Sequence, residues 1–393
     1  MQKQLTVDAT LPVDAGDATL VGRVFRPDVA GPALAIVRDG ELLDISRGTS
    51  TMSALAELDE PARAARGTRG ERICTLEQAL ANTPEATRDR NKPWILAPVD
   101  LQALKAAGVT FVASMLERVI EEQARGDASK AESVRRAIVA VIGDDLASIV
   151  PGSREAARLK DALIAQKAWS QYLEVGIGPD AEIFTKSAPM SAIGTGMSIG
   201  IHPKSEWNNP EPEIVLIIDS RGRVVGATLG NDINLRDFEG RSALLLGKAK
   251  DNNASCAVGP FVRLFDAHFG IDDVRRAEIA LRVDGSDRFV LEGSSSMAKI
   301  SRDPLDLVAQ AINANHQYPD GFALFLGTMF APTQDRHGPG QGFTHAVGDI
   351  VTISTPKLGA LVNRVDHTDA IEPWTFGTRA LMQNLAQRRL LTI

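Results

Sequence analysis

Two apolar segments joined by a short polar turn constrain the fold of this chain more than any other feature. Residues 213–219 read EIVLIID, residues 224–230 read VVGATLG, and the SRGR turn at 220–223 separates them. Aliphatic side chains at nearly every position of the first segment are typical of a strand that is buried on both faces. The sequence therefore predicts a β-hairpin inside a hydrophobic core.

The rest of the chain divides into stretches of different pattern. In the first hundred residues short strands alternate with turns, and Asp39-Gly40 between apolar runs predicts a second hairpin. Residues 101–170 have helical periodicity and predict two or three amphipathic helices. The remaining chain is rich in strands and glycine, with one clear helix that has Asp303 as N-cap and Pro304 as its first residue.

These patterns predict an α+β fold in two parts. Residues 1–170 are expected to form an N-terminal α/β and helical domain, and residues 171–393 a second domain that is mostly mixed β-sheet. The length of 393 residues fits this division, because it exceeds what one small core usually holds.

Composition narrows the class of partner. The net charge of −7 argues against nucleic acid or an anionic membrane, since binding to either usually requires a basic surface. Cys74 and Cys256 are too few for a disulfide framework, and no apolar run is long enough to span a bilayer. We therefore expect a cytoplasmic protein that acts on a small molecule.

Three carboxylates surround the entrance of the hairpin. Glu211 and Glu213 stand two residues apart, so their side chains project from the same face of an extended segment. Asp232 follows the second strand and is expected to return beside them, so that three carboxylates converge without a basic partner among them. A solvated acidic rim is the plain alternative. Because the adjoining strand is apolar, we favour a metal site with oxygen ligands, for Mg²⁺ or for Mn²⁺ as a substitute.

Three segments in order, NPEPEIVLII, GNDINLRD and AKDNNASCAVGP, resemble the catalytic domain of the fumarylacetoacetate hydrolase superfamily. The resemblance covers at least residues 172–365. It implies a mixed β-sandwich roll, a divalent metal held by Glu211, Glu213 and Asp232, and a 2-keto acid substrate that chelates this metal. It also implies a homodimer or a higher homo-oligomer.

Further segments, among them YLEVGIGPDAEIFTKS, GSSSMAKISRDP, GTMFAPTQDR and GQGFTHAVGDIVTISTPKLG, resemble the sugar-acid dehydratase branch of this superfamily. That branch acts on 2-keto-3-deoxypentonates in oxidative pentose pathways and gives α-ketoglutarate semialdehyde. Hydrolase members use a His-Glu pair on a segment upstream of the two glutamates, whereas this chain has no histidine between residues 172 and 200. The difference favours elimination of water over hydrolysis.

For the proton transfers the resemblance implies Glu182 and Lys250. Lys250 is also a candidate for binding the substrate carboxylate. Either side chain has a simpler alternative, because most lysines and glutamates are solvated surface residues.

Other polar residues near these segments are candidates for supporting roles. Ser187, Thr328 and Thr355 are candidate hydroxyl donors to the substrate, although a turn or strand hydrogen bond is the common use of such threonines. Arg236 and Asp237 follow the third carboxylate and are expected to orient its loop.

Two other functions remain open from the sequence. One is a hydrolase or decarboxylase of a related 2-keto or 2,4-diketo acid that uses the same metal platform. The other is a metal-binding scaffold without catalytic activity. The six histidines show no zinc spacing, and GTGMSIG at residues 194–200 lacks the strand-turn-helix context of a dinucleotide loop.

Overall fold

The structure is a computed structural model that describes residues 1–142, 149–165, 169–329 and 332–391. Its regular elements alternate between strands and short helices along most of the chain. The strands are β1 Leu20–Arg26, β2 Gly31–Arg38, β3 Glu41–Asp44, β4 Glu71–Thr75, β5 Trp94–Leu96, β6 Ala103–Gly108, β7 Glu182–Ser187, β8 Ser198–Ile201, β9 Asn208–Asn209, β10 Pro212–Ile218, β11 Val224–Asp232, β12 Asn234–Leu235, β13 Cys256–Leu264, β14 Glu278–Asp284, β15 Val290–Ser296, β16 Phe322–Phe325, β17 Ile350–Thr355 and β18 Gly359–His367.

The helices of the described residues are mostly short. They are α1 Val7–Thr10, α2 Met52–Ala56, α3 Pro61–Gly67, α4 Leu76–Asn82, α5 Val112–Ala124, α6 Ala131–Ile142, α7 Arg154–Ala165, α8 Gln171–Ile177, α9 Arg236–Glu239, α10 Leu246–Lys250, α11 Ile271–Arg275, α12 Pro304–Ala311 and α13 Thr378–Gln387. Within the described ranges, none of them is long and apolar enough to cross a membrane.

An eleven-stranded mixed sheet forms the centre of the molecule. Its strand order is β4-β3-β2-β1-β13-β11-β10-β16-β6-β7, with β5 paired to β1 outside this path. A second sheet of five strands, β15-β14-β17-β18-β8, packs on β10, β11 and β13, and a large apolar core lies between the two. The expected α+β class with two layers of mixed sheet is confirmed.

The central hairpin is buried on both faces, as its composition predicts. Every residue of β10 is buried, and so is every residue of β11 after Val224. The Asp39-Gly40 hairpin is also confirmed: it joins β2 to β3, and both turn residues have positive φ, 50° and 75°. The helix that starts at Pro304 has the Asp303 side chain as its N-cap.

The expected division at residue 170 does not separate the sheets. β1 pairs with β13 and β6 pairs with β16, so strands from both portions share one sheet. Within the described part of residues 101–170 lie α5, α6 and α7, which agrees with the two or three helices that the pattern predicted, and α8 follows directly after this range. They have a small core of their own that includes Met115, Val119 and Leu173. Two folding units divided at residue 170 remain a prediction.

Candidate functional site

The three carboxylates meet at the open end of the central hairpin. Glu213 stands opposite Gly230, and the backbone N–H of Asp232 donates to the carbonyl of Glu211 at 3.1 Å. Because directly opposed residues of an antiparallel pair share a face, the Asp232 side chain lies beside that of Glu211. One ligand oxygen from each of the three residues can be chosen so that all lie within 4.8 Å of one another.

The pairing register differs by one position from a simple count outward from the turn. A count centred on Arg221 places Glu213 opposite Leu229, eight residues away on either side, but Leu229 pairs with Ile214. An irregularity between Ile217 and Ile218 supplies the shift, because it adds a residue to one strand near the turn. The shift brings Asp232 level with Glu211, where the count had placed it beyond the strand end.

All three carboxylates are buried, with 3% of Glu211 and 1% each of Glu213 and Asp232 exposed. Burial raises the pKa of Glu213 well above its ordinary value, and the negative charges of Asp232 and Glu211 raise it further. The N–H of Gly327 donates to Glu213 Oε2 at 2.7 Å, which opposes this shift only in part. Glu213 is therefore a buried acid whose charged form is compensated only in part, by the charge of Lys250 and the N–H of Gly327.

Basic side chains reach two of the carboxylates from elements outside the hairpin. Lys250 Nζ, from α10, lies 2.6 Å from Glu211 Oε2 and 3.0 Å from Asp232 Oδ2. Lys186 Nζ, from β7, lies 2.9 Å from Asp232 Oδ1. The expectation that the three carboxylates converge without a basic partner is therefore wrong. The position of Lys250 agrees with its selection from the sequence, whereas Lys186 was given no role there.

The third basic residue at the carboxylates is Arg118, on helix α5, which was not identified from the sequence. The guanidinium of Arg118, on α5, contacts Glu211 directly and also pairs with Glu121 at 2.9 Å and Glu239 at 3.0 Å. Burial raises the pKa of Glu239 to about 7, although Arg118 opposes this effect. The available signal was an arginine and a glutamate one helical turn apart, and many exposed helices show the same pair.

Arg236 and Asp237 fix the loop that follows the hairpin, but not by pairing with each other. Arg236 Nε lies 2.6 Å from Glu121, and its guanidinium covers the ring of Trp207 at 4.3 Å. Asp237 accepts hydrogen bonds from the hydroxyl of Ser205 at 2.8 Å and from the backbone of residue 206. Both contacts tie the loop after the third carboxylate to its surroundings.

Glu182 lies at the start of β7, opposite Gly108 of β6. Burial raises its pKa, and the charges of Arg118, Lys250, Glu211 and Asp232 all act on it, which places it in the same polar cluster. A Cβ at Gly108 would stand 1.8 Å from Glu182 Oε2. The glycine thus leaves the room that this carboxyl group occupies.

The three candidate hydroxyl donors are placed differently. Ser187 donates to Asp251 at 3.0 Å and so lies beside Lys250. Thr328 is buried and follows Gly327, whose N–H contacts the carboxylate of Glu213. Thr355 ends β17 in the five-stranded sheet and lines a surface groove beside α1. The structure therefore brings Ser187 and Thr328 towards the carboxylates and leaves Thr355 outside this group.

The donor set fits a hard divalent cation. The three carboxylates offer only oxygen ligands, which Mg²⁺ prefers. The ammonium group of Lys186 lies 2.9 Å from Asp232 Oδ1 and forms an ion pair with it. Among the residues that the structure describes, however, no donor makes a hydrogen bond of acceptable geometry to this oxygen. A cation at this point would supply the positive charge that Glu213 lacks.

Comparison with known proteins gives the class to which this fold and site belong. Residues 165–366, just over half of the chain, match the family described as "Fumarylacetoacetate (FAA) hydrolase C-terminal". The chain belongs to the fumarylacetoacetate hydrolase family. This finding confirms the resemblance seen in its motifs.

Two relatives within this family carry more particular names. A 2-dehydro-3-deoxy-D-arabinonate dehydratase of Saccharolobus solfataricus is 32% identical over 184 residues, which are 47% of this chain and 58% of that protein. A probable 2-keto-3-deoxyxylonate dehydratase of Haloferax volcanii is 24% identical over 332 residues, which are 84% of this chain and 94% of that protein. The match to the first relative thus spans little more than half of its length.

A solved structure of similar fold is a 2-keto-3-deoxy-D-arabinonate dehydratase complexed with magnesium and 2,5-dioxopentanoate. Its TM-score is 0.59 at 19% identity, and the match covers 88% of this chain and 99% of that one. The likeness extends over the N-terminal portion as well as the region of the family match.

Proposed function

We propose that this protein is a Mg²⁺-dependent dehydratase that converts 2-keto-3-deoxy-D-pentonate (2-dehydro-3-deoxy-D-arabinonate) to α-ketoglutarate semialdehyde in non-phosphorylative pentose oxidation. One observation carries the proposal: three buried carboxylates converge within 4.8 Å, with Lys250 in contact with two of them and Glu182 in the same polar cluster. The names of the two dehydratase relatives support the substrate class.

The overall reaction removes one molecule of water. A proton leaves C3 and the hydroxyl leaves C4, which gives a C3–C4 double bond and the one water. A proton then leaves C5 while another returns to C3, and ketonisation of the resulting C4–C5 enol, with transfer of its hydroxyl proton to C4, gives the C5 aldehyde, also called 2,5-dioxopentanoate. Mg²⁺ held by Glu211, Glu213 and Asp232 would polarise the 2-keto group and so acidify the C3 hydrogens. The remaining requirements are an acid for the departing hydroxyl and a group that exchanges protons at carbon.

The side chains around the triad meet these requirements in the proposal. Glu182 supplies the proton to the departing C4 hydroxyl, since burial favours its protonated form. Lys250 holds the substrate carboxylate and is the candidate for proton transfer at C3. The hydroxyl of Ser187, next to this lysine through Asp251, is a further donor to the carboxylate end.

The test is a coupled assay with competing substrates. Purified protein with Mg²⁺ and 2-keto-3-deoxy-D-pentonate should release the semialdehyde, followed as cofactor reduction by a semialdehyde dehydrogenase, and EDTA should abolish the signal. No product from this substrate together with cleavage of an acylpyruvate would replace the proposal with a hydrolase. Binding of Mg²⁺ without turnover of either compound would identify a non-catalytic scaffold.

A further inference from the structure

Beyond the carboxylates the two chain segments stay paired, and this pairing brings together one more pair of polar residues. In β9 and β12 Asn209 stands opposite Asn234, and this pairing keeps the same offset as the pairing of Glu211 with Asp232. No residue is therefore inserted between the two ladders. Along one face the opposed pairs follow in order: first the two asparagines, then the two carboxylates.

The two asparagines lie at a defined distance from the proposed metal site. Two residues of an extended strand span roughly 6.7 Å, so the amides lie one such step from the carboxylates of Glu211 and Asp232. Helix α10, which carries Lys250, packs against β12, which carries Asn234. The amide pair therefore lies next to the carboxylates of Glu211 and Asp232 along the strands, on the side away from Glu213.

These amides are buried, and three of their four polar atoms lack a hydrogen-bond partner among the residues that the structure describes. Asn209 is 1% exposed and Asn234 is not exposed at all. Within the described part of the chain, neither amide atom of Asn234 has a hydrogen-bond partner, and the same holds for Asn209 Oδ1. Asn209 Nδ2 donates only to the neighbouring Pro210 carbonyl, at 2.9 Å. Buried amide groups are costly when unpaired, so a partner for them is expected.

Two nearby asparagines on the opposite face of the strands, Asn208 and Asn231, have structural roles and serve for comparison. Asn208 Oδ1 accepts from the backbone N–H of His345 at 3.2 Å, and Asn231 Oδ1 accepts from that of Glu211 at 3.0 Å. Both therefore connect backbone segments. Asn234 makes no such connection among the described residues, which separates it from this structural use.

We propose that Asn209 and Asn234 form a hydroxyl-binding subsite that selects 2-keto acids carrying a hydroxyl group at the end remote from the keto acid. A side-chain amide offers both donors and acceptors, and a hydroxyl group requires one of each. The inference rests on the proposed function for the placement of the keto-acid end at the carboxylates. The hydroxyl end of a five-carbon acid then lies one step along the strands, at the amide pair. Sites built to bind a hydroxyl discriminate strongly against analogues that lack it.

The experiment compares two ligands that differ by one hydroxyl and do not require turnover. Binding of 5-hydroxy-2-oxopentanoate and of 2-oxopentanoate is measured by calorimetry in the presence of Mg²⁺. The protein should bind the hydroxylated acid about tenfold or more tightly, since one well-placed hydrogen bond is worth roughly that factor. Asn234→Leu and Asn209→Leu should reduce the ratio to near one and leave the affinity for 2-oxopentanoate within about threefold.

Stability measurements separate this role from a structural one. Asn234→Leu replaces an unpaired buried amide by an apolar group of similar volume, so its urea midpoint should stay equal or rise. The matched control Asn208→Ala should lower the midpoint and keep the ligand ratio. An unchanged ratio in both leucine variants, or no preference in the unmodified protein, would overturn the subsite. A preference that the variants lose, in a protein that never dehydrates the pentonate, would support the subsite and refute the proposed function.

Discussion

The two ends of the β10–β11 hairpin both carry buried carboxylates, but their partners differ. At the turn, Asp219 accepts from the backbone N–H groups of Arg221 and Arg223 at 2.9 and 2.8 Å, and from their guanidinium Nε atoms at 3.1 and 2.6 Å. At the open end, Glu213 accepts a hydrogen bond from the N–H of Gly327, and Asp232 Oδ1 has no aligned donor among the described residues.

The pKa directions follow this difference. Burial alone would raise the pKa of Asp219, but hydrogen bonds from Arg223 and Arg221 lower it below its ordinary value. Burial raises the pKa of Glu213, and its carboxylate neighbours add to the rise. Asp219 is 0% exposed and Glu213 is 1% exposed, so the supply of hydrogen-bond donors distinguishes the carboxylate at the turn from the one that is proposed to bind a metal ion.

The largest expected effect is the loss of activity on removing a proposed metal ligand. Asp232→Asn keeps the shape of the side chain and removes its charge, so kcat/KM should fall by about 10³-fold, or roughly 4 kcal/mol of transition-state stabilisation. Calorimetry with Mg²⁺ should show a parallel loss of affinity. Asp219→Asn at the other end is the matched control and should keep Mg²⁺ affinity within about twofold. Equal loss in both variants would break the comparison.

Glu182→Gln should separate activity from stability. Activity should fall by about 10²-fold, the usual contribution of a general acid. The free energy of unfolding should rise at pH 7 to 8, because burial raises the pKa of Glu182 in the folded state and makes its ionised form costly. The gain should grow as pH increases above about 4.3, the ordinary glutamate value. Urea titrations across this range measure it, and a destabilised variant at pH 8 would contradict the assignment.

Asp219→Asn should show the opposite sign of stability change. Loss of the charge-assisted hydrogen bonds should lower the free energy of unfolding by about 2 kcal/mol at pH 7. The folded-state pKa of Asp219 is lowered, so its contribution is complete above about pH 3.9, the ordinary aspartate value, and is lost as pH falls through the lowered pKa. The unmodified protein and the variant should therefore converge in stability in acid. A constant difference down to pH 2 would show that the charge is not the source.

The smallest expected effect is steric. Gly108→Ala places a methyl group on Glu182 Oε2 and should displace the carboxyl group, at a cost of about tenfold in kcat. Gly16→Ala is the control, because a Cβ at that position meets no atom within 4 Å. Equal kcat in the two alanine variants would remove Gly108 from the site.

The features that were predicted correctly from the sequence are those that residues close together in the chain determine. The hairpin, the α12 N-cap and the convergence of the three carboxylates all depend on side chains within one strand pair or one helical turn. The one-residue departure from a count centred on Arg221 was not predicted, since the irregularity at Ile217 and Ile218 has no distinct residue type. Arg118 was missed because it contacts Glu211 from 93 residues away, where only the packing of α5 determines the contact.

The mixed sheet has a consequence for any attempt to isolate the family-matching region. Residues 165–366 contain β13, β11, β10 and β16, whereas the outer neighbours β1 and β6 belong to the first 108 residues. A fragment cut at those limits would expose the apolar edges of β13 and β16, whose unpaired N–H and C=O groups can pair with strands of other molecules. Such a fragment is expected to aggregate. Insertions, purification tags and the break points of split versions should therefore avoid the segment from β1 to β6.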